Sequence, residues 1–386
     1  MKTILVIFGG RSVEHDISII TGQFVISALK ATGQYQVAPL YIARDGKWYS
    51  DSALAELTVF QDGSLERKLA GMQAVSVGFD SSLTLSWAKT IGSKTQAIDI
   101  VFPALHGTYG EDGSIQGLLR FAKVSVVGCD LESSVVAMNK ALTNHILAAA
   151  GIPKVPFVAF TAAEYAESRK AIDQRIKAMT MPLFVKPAHL GSSIGITRVT
   201  KIDQLEAAIE VALHYDDAVV VEHGIVDPIE INCAVLGNDK PRASVLERPL
   251  QKNDFLNFED KYVASGSKGG SMTGAKSTVQ IPAEIKPKLA EQITSLAIKS
   301  FKAIGGSGTA RFDFLIDPKT DKVYLNEINP LPGSLQQHLW QASGVSNVEL
   351  VSKLVSLAEE RFATKSNVTT TFASSVLTQR TGSKAS

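Results

Sequence analysis

Residues 309–329, "TARFDFLIDPKTDKVYLNEIN", constrain the fold more than any other stretch of the chain. Two apolar, alternating runs flank the short polar segment 318–322, a pattern that predicts an antiparallel hairpin. Alternation places Arg311 and Asp313 on one face of the first run. It places Val323, Leu325, Glu327 and Asn329 on one face of the second. Pairing Asp317 with Val323 would set Asp313 opposite Glu327 and Arg311 opposite Asn329. Two carboxylates, an amide and a guanidinium would then share one sheet face. Such a face needs a reason.

Asp313, Glu327 and Asn329 supply three hard oxygen donors, the set that Mg²⁺ prefers alongside substrate phosphates. Two such ions bridged by a carboxylate would clamp the phosphates of a nucleotide. The bland alternative is a polar face solvated at a sheet edge, with Arg311 as an ion-pair partner. These residues alone leave both open. The following Pro-Leu-Pro-Gly, 330–333, tilts the reading toward chemistry, because Gly333 after a rigid turn can present its N–H to an oxyanion.

Upstream, "KTILVIFGG" reads as a buried strand ending in a Gly-Gly turn, and "HDISIITGQFVISALKATG" as a helix closed by Gly33. "QVAPLYIA" and "AIDIVFPALHG" are further strands, separated by a polar stretch over 45–94. Strands alternating with helices imply a parallel α/β domain. "NKALTNHILAAAGIP" is a helix stopped by Gly151 and Pro153. "PLFVKPA" and "AVVVEHGI" are strands with a helix over 201–213 between them. "IEINCAVLG" opens a strand-rich region that finishes in a helix over 348–363. Residues 263–278, rich in Gly, Ser and Lys, predict a mobile loop, and the Ser/Thr-rich 364–386 a disordered tail.

Several shorter motifs each admit two readings. "VKPAHLGSSIG" runs from a strand through Lys186 into a loop holding Ser192 and Ser193. It lacks the Gly-Lys-Ser/Thr order of a Walker loop, yet an ammonium and backbone N–H groups there can bind phosphate. Taken alone, the stretch is better explained as an ordinary Gly/Ser turn. "GGRSVEHDIS" leaves Glu14 at a helix entrance, where an acid also suits the helix dipole. "HGTYGEDGSIQG" packs His106, four glycines, Glu111 and Asp112 into one loop, and turn chemistry alone accounts for the glycines.

Composition narrows the class. The 386 residues are 45% hydrophobic and 20% charged, an ordinary globular balance too long for one typical domain. A formal charge of +1 shows no bias toward nucleic acid or an anionic membrane, and no nucleic-acid reader module is recognisable. Cys129 and Cys233 are too few for a disulfide framework, which suits a reducing cytoplasm. No run approaches the roughly 18 apolar residues of a membrane span. The expectation is a soluble cytoplasmic protein with no membrane partner.

The order of the motifs is more specific than any one of them. Glu14 in the Gly-Gly turn, His106-Gly, Lys140, Lys186 with its Gly-Ser loop and "VVVEHGIVDPIE" come first. Arg311-x-Asp313 and Glu327-x-Asn329 follow. From about Met1 to Ala363 this series resembles the D-alanine–D-alanine ligases of the ATP-grasp superfamily. The resemblance implies an ATP-grasp fold, α/β and α+β, with an N-terminal parallel α/β substrate-binding domain over 1–128. A central ATP-grasp subdomain over 129–228 follows, then a C-terminal one over 229–363 carrying a lid at about 250–280.

It also implies roles. Lys140, Lys186 and Ser193 would meet the ATP phosphates, Glu222 and Ile225 the adenine, and Glu230 the ribose. Asp313, Glu327 and Asn329 would hold two Mg²⁺ ions, with Mn²⁺ as a substitute. The γ-phosphate would pass to a first D-alanine, and a second D-alanine would displace it to give D-alanyl-D-alanine for peptidoglycan. Arg311 and Gly333 would stabilise the oxyanion. Glu14 would hold the first ammonium, with His106 nearby, and Ser334 and Leu335 the second carboxylate. In "FLNFEDKY", Lys261 would reach the γ-phosphate, while Tyr262 would join Ser192 and Glu14 in closing the lid. A homodimer is the expected assembly.

Three departures stand out. Asn329 is followed by Pro330, and Ser334-Leu335 comes at once after Pro-Gly, where the family has a longer loop. "MNK", 138–140, replaces the usual "MDK", and the lid has Leu256 and Phe258 where tyrosines are common. The shortened loop motivates a rival, a sister ligase accepting D-serine, D-lactate or another amino acid. An ATP-binding protein without catalysis is a second rival, opposed by the intact Glu14, Lys186, Arg311, Asp313, Glu327 and Asn329.

Overall fold

Seven of the eight residues in β1 (Lys2–Gly9) are buried, because the strand lies mid-sheet with an apolar layer on each side. Ile4, Val6 and Phe8 point into one core, Leu5 and Ile7 into another. The computed structural model describes residues 1–79, 82–88, 92–250, 278–369 and 372–374. In it β1 is flanked by β2 (Tyr35–Ile42) and, at the edge, β3 (Trp48–Tyr49). On its other side stand β7 (Ile100–Pro103) and β8 (Ser125–Val126). All pairs are parallel except β2–β3, as the strand–helix alternation predicts. The first helix, His15–Thr32, ends at Gly33 in the left-handed conformation. It packs so close to β1 that a Cβ on Gly22 would lie 2.6 Å from Phe8 Cβ; only glycine fits there.

The polar stretch over 45–94 holds more structure than its pattern suggests. It includes β4 (Ser76–Phe79), β5 (Leu83–Ala88) and the start of β6 (Ser93–Ile98), an antiparallel sheet. Leu83 and Leu85 anchor it in the core shared with Leu5 and Ile7. Its outer strand "SKTQAI" is largely exposed, so the alternation that would have revealed it is missing.

A second, antiparallel sheet follows in the order β11 (Thr197–Val199), β10 (Leu183–Pro187), β12 (Ala218–His223), β9 (Phe157–Thr161). Ile172 and Ile176 of helix Ala162–Lys177, with Ala208, Ile209 and Ala212 of helix Leu205–Tyr215, cover its apolar face. The third sheet runs β15 (Thr278–Gln280), β14 (Arg242–Leu250), β13 (Ile229–Gly237), β16 (Gly308–Ile316), β17 (Val323–Asn329). All its pairs are antiparallel. Ala310, Phe312, Phe314 and Ile316 pack on Ile293, Ala297 and Phe301 of helix Pro287–Ala303.

The hairpin forms with one correction. Val323 pairs with Ile316, not Asp317, and a bulge between Asp313 and Phe314 then restores Asp313↔Glu327 and Arg311↔Asn329. Asn326 is the extra residue. Because it shifts the phase of β17, Val323 and Leu325 join Ile328 in the core. Glu327 and Asn329 turn to the opposite face instead of sharing one with Leu325.

The last helix, Asn347–Ser366, runs three residues past the expected end at Ala363. Its Leu350, Val351 and Leu354 share a core with Ile4, Val6 and Phe8. Lys261, Tyr262, Leu256 and Phe258 lie outside the described residues, as does nearly all of the expected lid and most of the 364–386 tail. Leu250 and Thr278, which bound that segment, pair with each other across β14 and β15.

Candidate active site

The polar face of β16 and β17 is assembled by register. Arg311 Nε and Nη2 donate to the two oxygens of Asp313 at 2.6 and 2.7 Å, a bidentate pair. Asn329 Nδ2 donates to Asp313 Oδ2 at 3.0 Å. Burial works against the guanidinium charge, but Asp313, Glu327 and Glu247 together hold Arg311 firmly protonated. The Asp313 side chain is 4% exposed and Glu327 and Asn329 beside it are half-buried, so two carboxylates and one amide line one wall. These donors fit Mg²⁺: they are all oxygens, two are anionic, and their strand positions are fixed by the ladder.

A second cluster stands where the central sheet meets this wall. Lys186 on β10 pairs with Glu222 on β12 at 2.5 Å, with side chains 13% and 5% exposed. Asn144 donates to the other Glu222 oxygen at 2.8 Å. Burial opposes ionisation of Glu222, yet Lys186, Lys154 and Asn144 outweigh it and bring its pKa down to about 2. Lys140 opens helix Lys140–Ala149, donates to the Leu190 carbonyl at 2.5 Å, and is lowered by burial. Ile225 follows β12 and Glu230 is the second residue of β13, so both flank the turn between those strands.

Lys154 was not singled out by sequence, although a lysine inside "IPKVPF" is a signal that could have been noticed. It donates to the carbonyls of Leu325 and Asn326 at 2.6 and 3.0 Å, at the bulge. A bulged residue loses its ladder partner, and this ammonium satisfies it. Burial brings Lys154 down to about 8, with Glu222 and Glu327 among the nearby charges.

The third cluster joins the N-terminal sheet to the turn after β17. Ser192 donates to the Glu14 carboxylate, bringing the Gly-Ser loop onto the Gly-Gly turn. Ser192 and Ser193 both hold positive φ, 53° and 59°. Gly107 has φ 68°, and a Cβ there would lie 3.1 Å from Glu14 Oε2. His106 Nε2 lies 2.8 Å from Thr21 Oγ1, and that hydroxyl accepts from Ser334 N–H at 3.0 Å. The hydroxyl proton is therefore free to go to Nε2. Burial, reinforced by Arg311, pulls His106 down to about 4, against the opposing bond to the Leu331 backbone.

Glu111, noted in the His-Gly loop but not assigned a role there, completes this cluster. It accepts from Gly107 N–H at 2.8 Å and from the Leu331 backbone. Burial and then the charge of Glu14 push it up to about 8.

The turn itself is strained. Ser334, Leu335 and Gln336 have φ of 44°, 55° and 52°, three consecutive non-glycine residues in the left-handed region. The Leu335 side chain is buried in the core beside Leu339 and Trp340, and its N–H donates to Pro332 at 2.9 Å. Ser334 N–H is likewise engaged by Thr21. A ligand at this turn would meet the Ser334 hydroxyl. Gly333 opens the turn beside Ile17 of the first helix.

Thus three groups of the residues expected from sequence come together: Arg311, Asp313, Glu327 and Asn329; Lys140, Lys186 and Glu222; Glu14, Ser192, His106 and Ser334. Lys261 and Tyr262 lie outside the described residues.

Comparisons with known proteins agree along the chain. The family model described as D-ala D-ala ligase N-terminus matches residues 3–129, and that of D-ala D-ala ligase C-terminus matches 146–356. A D-alanine–D-alanine ligase from Acetivibrio thermocellus is 35% identical over 376 residues, covering 94% of this chain and 96% of that one. The solved D-alanine–D-alanine ligase of Coxiella burnetii is 30% identical with a TM-score of 0.76, covering 95% and 96%. The VanG D-Ala:D-Ser ligase of Enterococcus faecalis is also 30% identical, with a TM-score of 0.77, covering 92% and 99%. The fold is therefore that of the ATP-grasp enzymes, and the chain belongs to the D-alanine–D-alanine ligase family.

Proposed function

We propose that this chain joins two D-alanine molecules at the expense of ATP, forming D-alanyl-D-alanine for peptidoglycan precursors. The carrying observation is the register that puts Arg311, Asp313, Glu327 and Asn329 on one face, next to the Lys140, Lys186 and Glu222 cluster. Lys140, Lys186 and Ser193 bind the ATP phosphates, Glu222 and Ile225 the adenine, and Glu230 the ribose. Asp313, Glu327 and Asn329 hold two Mg²⁺ ions, or Mn²⁺ in their place. Metal held by these residues would supply screening of the phosphate oxygens and withdrawal of charge from the γ-phosphoryl group.

Glu14 orients the first D-alanine through its ammonium, with His106 near by. The carboxylate of that D-alanine attacks the γ-phosphorus of ATP, the bond to the β–γ bridging oxygen breaks, ADP leaves, and a D-alanyl phosphate forms. The amine of the second D-alanine then attacks that carbonyl, and phosphate leaves. Arg311 and the Gly333 N–H stabilise the oxyanion of this step. Ser334 holds the carboxylate of the second substrate, while Leu335 fixes the turn from the core. Lys261 and Tyr262 close the site against water over Ser192 and Glu14. The domains divide this work: 1–128 carries the first substrate, while 129–228 and 229–363 enclose ATP.

The shortened acceptor turn favours one second reading, in which D-serine or another acceptor replaces the second D-alanine. Phosphate release with ATP, Mg²⁺ and D-alanine alone, followed by mass analysis, separates the two. A D-alanyl-D-alanine product supports the first; turnover only after D-serine, D-lactate or another acceptor is added supports the second. A cytoplasmic setting suits the two buried free thiols. Among the described residues no helix is long and apolar enough to cross a membrane. A homodimer is the proposed assembly, tested by light scattering.

A further inference from the structure

Between Lys186 and the Gly-Ser loop stands His189, and its ring is held from both sides. Asp216, which caps helix Leu205–Tyr215, accepts from the His189 backbone N–H at 2.6 Å and from ring Nδ1 at 2.9 Å. The Asp216 side chain is only 7% exposed. On the other side Asn139 Nδ2 lies 2.9 Å from His189 Nε2. Asn139 is the N-cap of the helix that begins with Lys140, and its Oδ1 accepts from Leu142 N–H at 3.0 Å. That bond fixes the amide, so its NH₂ must face the ring. Asp216 accepts only, so Nδ1 carries the proton and Nε2 offers its lone pair. Lys140 completes the junction, its N–H donating to Ala188 at 2.9 Å and its ammonium to Leu190 at 2.5 Å.

We propose that Asn139, His189 and Asp216 form a positioning relay that sets the 191–195 loop against Lys140, and that protonation of His189 releases one side of it. The inference rests on the reading of that loop and Lys140 as the phosphate-binding elements. A protonated imidazole cannot accept from Asn139, and the amide cannot turn over without uncapping its helix. The groups facing His189 are Asp216 and Asp217 before β12 and Lys140 at the helix start. The hydrogen bond to Asp216 leads in raising its pKa, against burial and Lys140. Here one departure from the family pattern, Asn139 in place of the usual aspartate, makes physical sense. An aspartate at 139 would accept from a protonated His189, whereas Asn139 pairs only with the neutral ring.

The test is a set of pH profiles for ATP from about pH 8 to about pH 5.5, the range in which imidazoles ionise. Wild type, Asn139→Asp and His189→Ala are compared, all with the same Mg-nucleotide so that its own titration cancels. For wild type, KM for ATP is expected to rise about fivefold relative to Asn139→Asp as pH falls, with kcat changing less, the loss of roughly one hydrogen bond. Asn139→Asp flattens the profile, and His189→Ala raises KM at every pH and removes the difference. Equal thermal unfolding of the exposed-site variant His189→Ala and wild type separates positioning from damage to the fold. Calorimetric titration with Mg-ADP gives the same comparison without turnover, so a failure of the ligase reading is distinguishable from a failure of the relay. A His189→Ala protein with wild-type nucleotide affinity and pH profile overturns the proposal.

Discussion

The polar wall of β16 and β17 and the turn that follows it lie only a few residues apart in sequence but are built by opposite means. Arg311, Asp313, Glu327 and Asn329 are placed by a backbone ladder, with one bulge adjusting the phase. Ser334–Gln336 are three left-handed residues, with Ser334 N–H held by the Thr21 side chain of the first helix and Leu335 held by burial in the core. A ladder tolerates sequence change because main-chain bonds fix it. A strained turn depends on each support. The wall is therefore expected to fail through lost chemistry, and the turn through lost geometry.

Arg311→Ala tests the wall most severely. Removing the charge beside the oxyanion is expected to lower kcat by about 10² to 10³, with a smaller effect on KM for ATP. A normal kcat would remove Arg311 from the chemistry and break the contrast at its strong end. Glu14→Gln should instead raise KM for the first D-alanine by about tenfold or more, the loss of a charge-assisted bond, measured at saturating ATP.

Thr21→Val addresses the turn. It leaves Ser334 N–H and His106 without their shared hydroxyl, and KM for the second substrate should rise about tenfold while kcat moves less. An unchanged acceptor KM would mean that the turn supports itself.

The smallest effect concerns pH and stability. Glu111 lies at about 8 in the folded protein, above its ordinary 4.5, so the folded state holds a proton that the unfolded chain releases in that interval. Stability from this group is full below 4.5 and falls as pH rises toward 8. His106, depressed from 6.5 to about 4, works the other way, contributing above 6.5 and losing that contribution as pH falls through 4. Above 6.5 the Glu111 slope should stand alone of the two. Glu111→Gln should flatten the fall in Tm between about pH 6.5 and pH 8, followed by thermal unfolding.

The same contrast explains what could be read in the sequence. The hairpin was legible because apolar alternation on both arms left little choice of pairing. The bulge was not: Asn326 looks like any outward polar residue, and Lys154, its carbonyl partner, is distant in sequence. Glu14, His106, Lys186 and the Gly-Ser loop were visible as motifs, but single motifs left ordinary turns as good an explanation. Their order, and its resemblance to a family, decided between the readings. Glu111 and Thr21 act through backbone groups of Leu331 and Ser334, and contacts of that kind leave no pattern in either strand or helix period.

The core around β1 carries a consequence for how the chain is made. Ile4, Val6 and Phe8 share one core with Leu339 and Trp340 and with Leu350, Val351 and Leu354 of the last helix. A ribosome delivering this chain from its N-terminus releases the first sheet and the helix His15–Thr32 that packs on it long before these later members of the same core emerge. That core is completed only when those last segments arrive. The core around the first strand is thus completed last, and the strained turn, whose Leu335 lies in that same core, is completed with it.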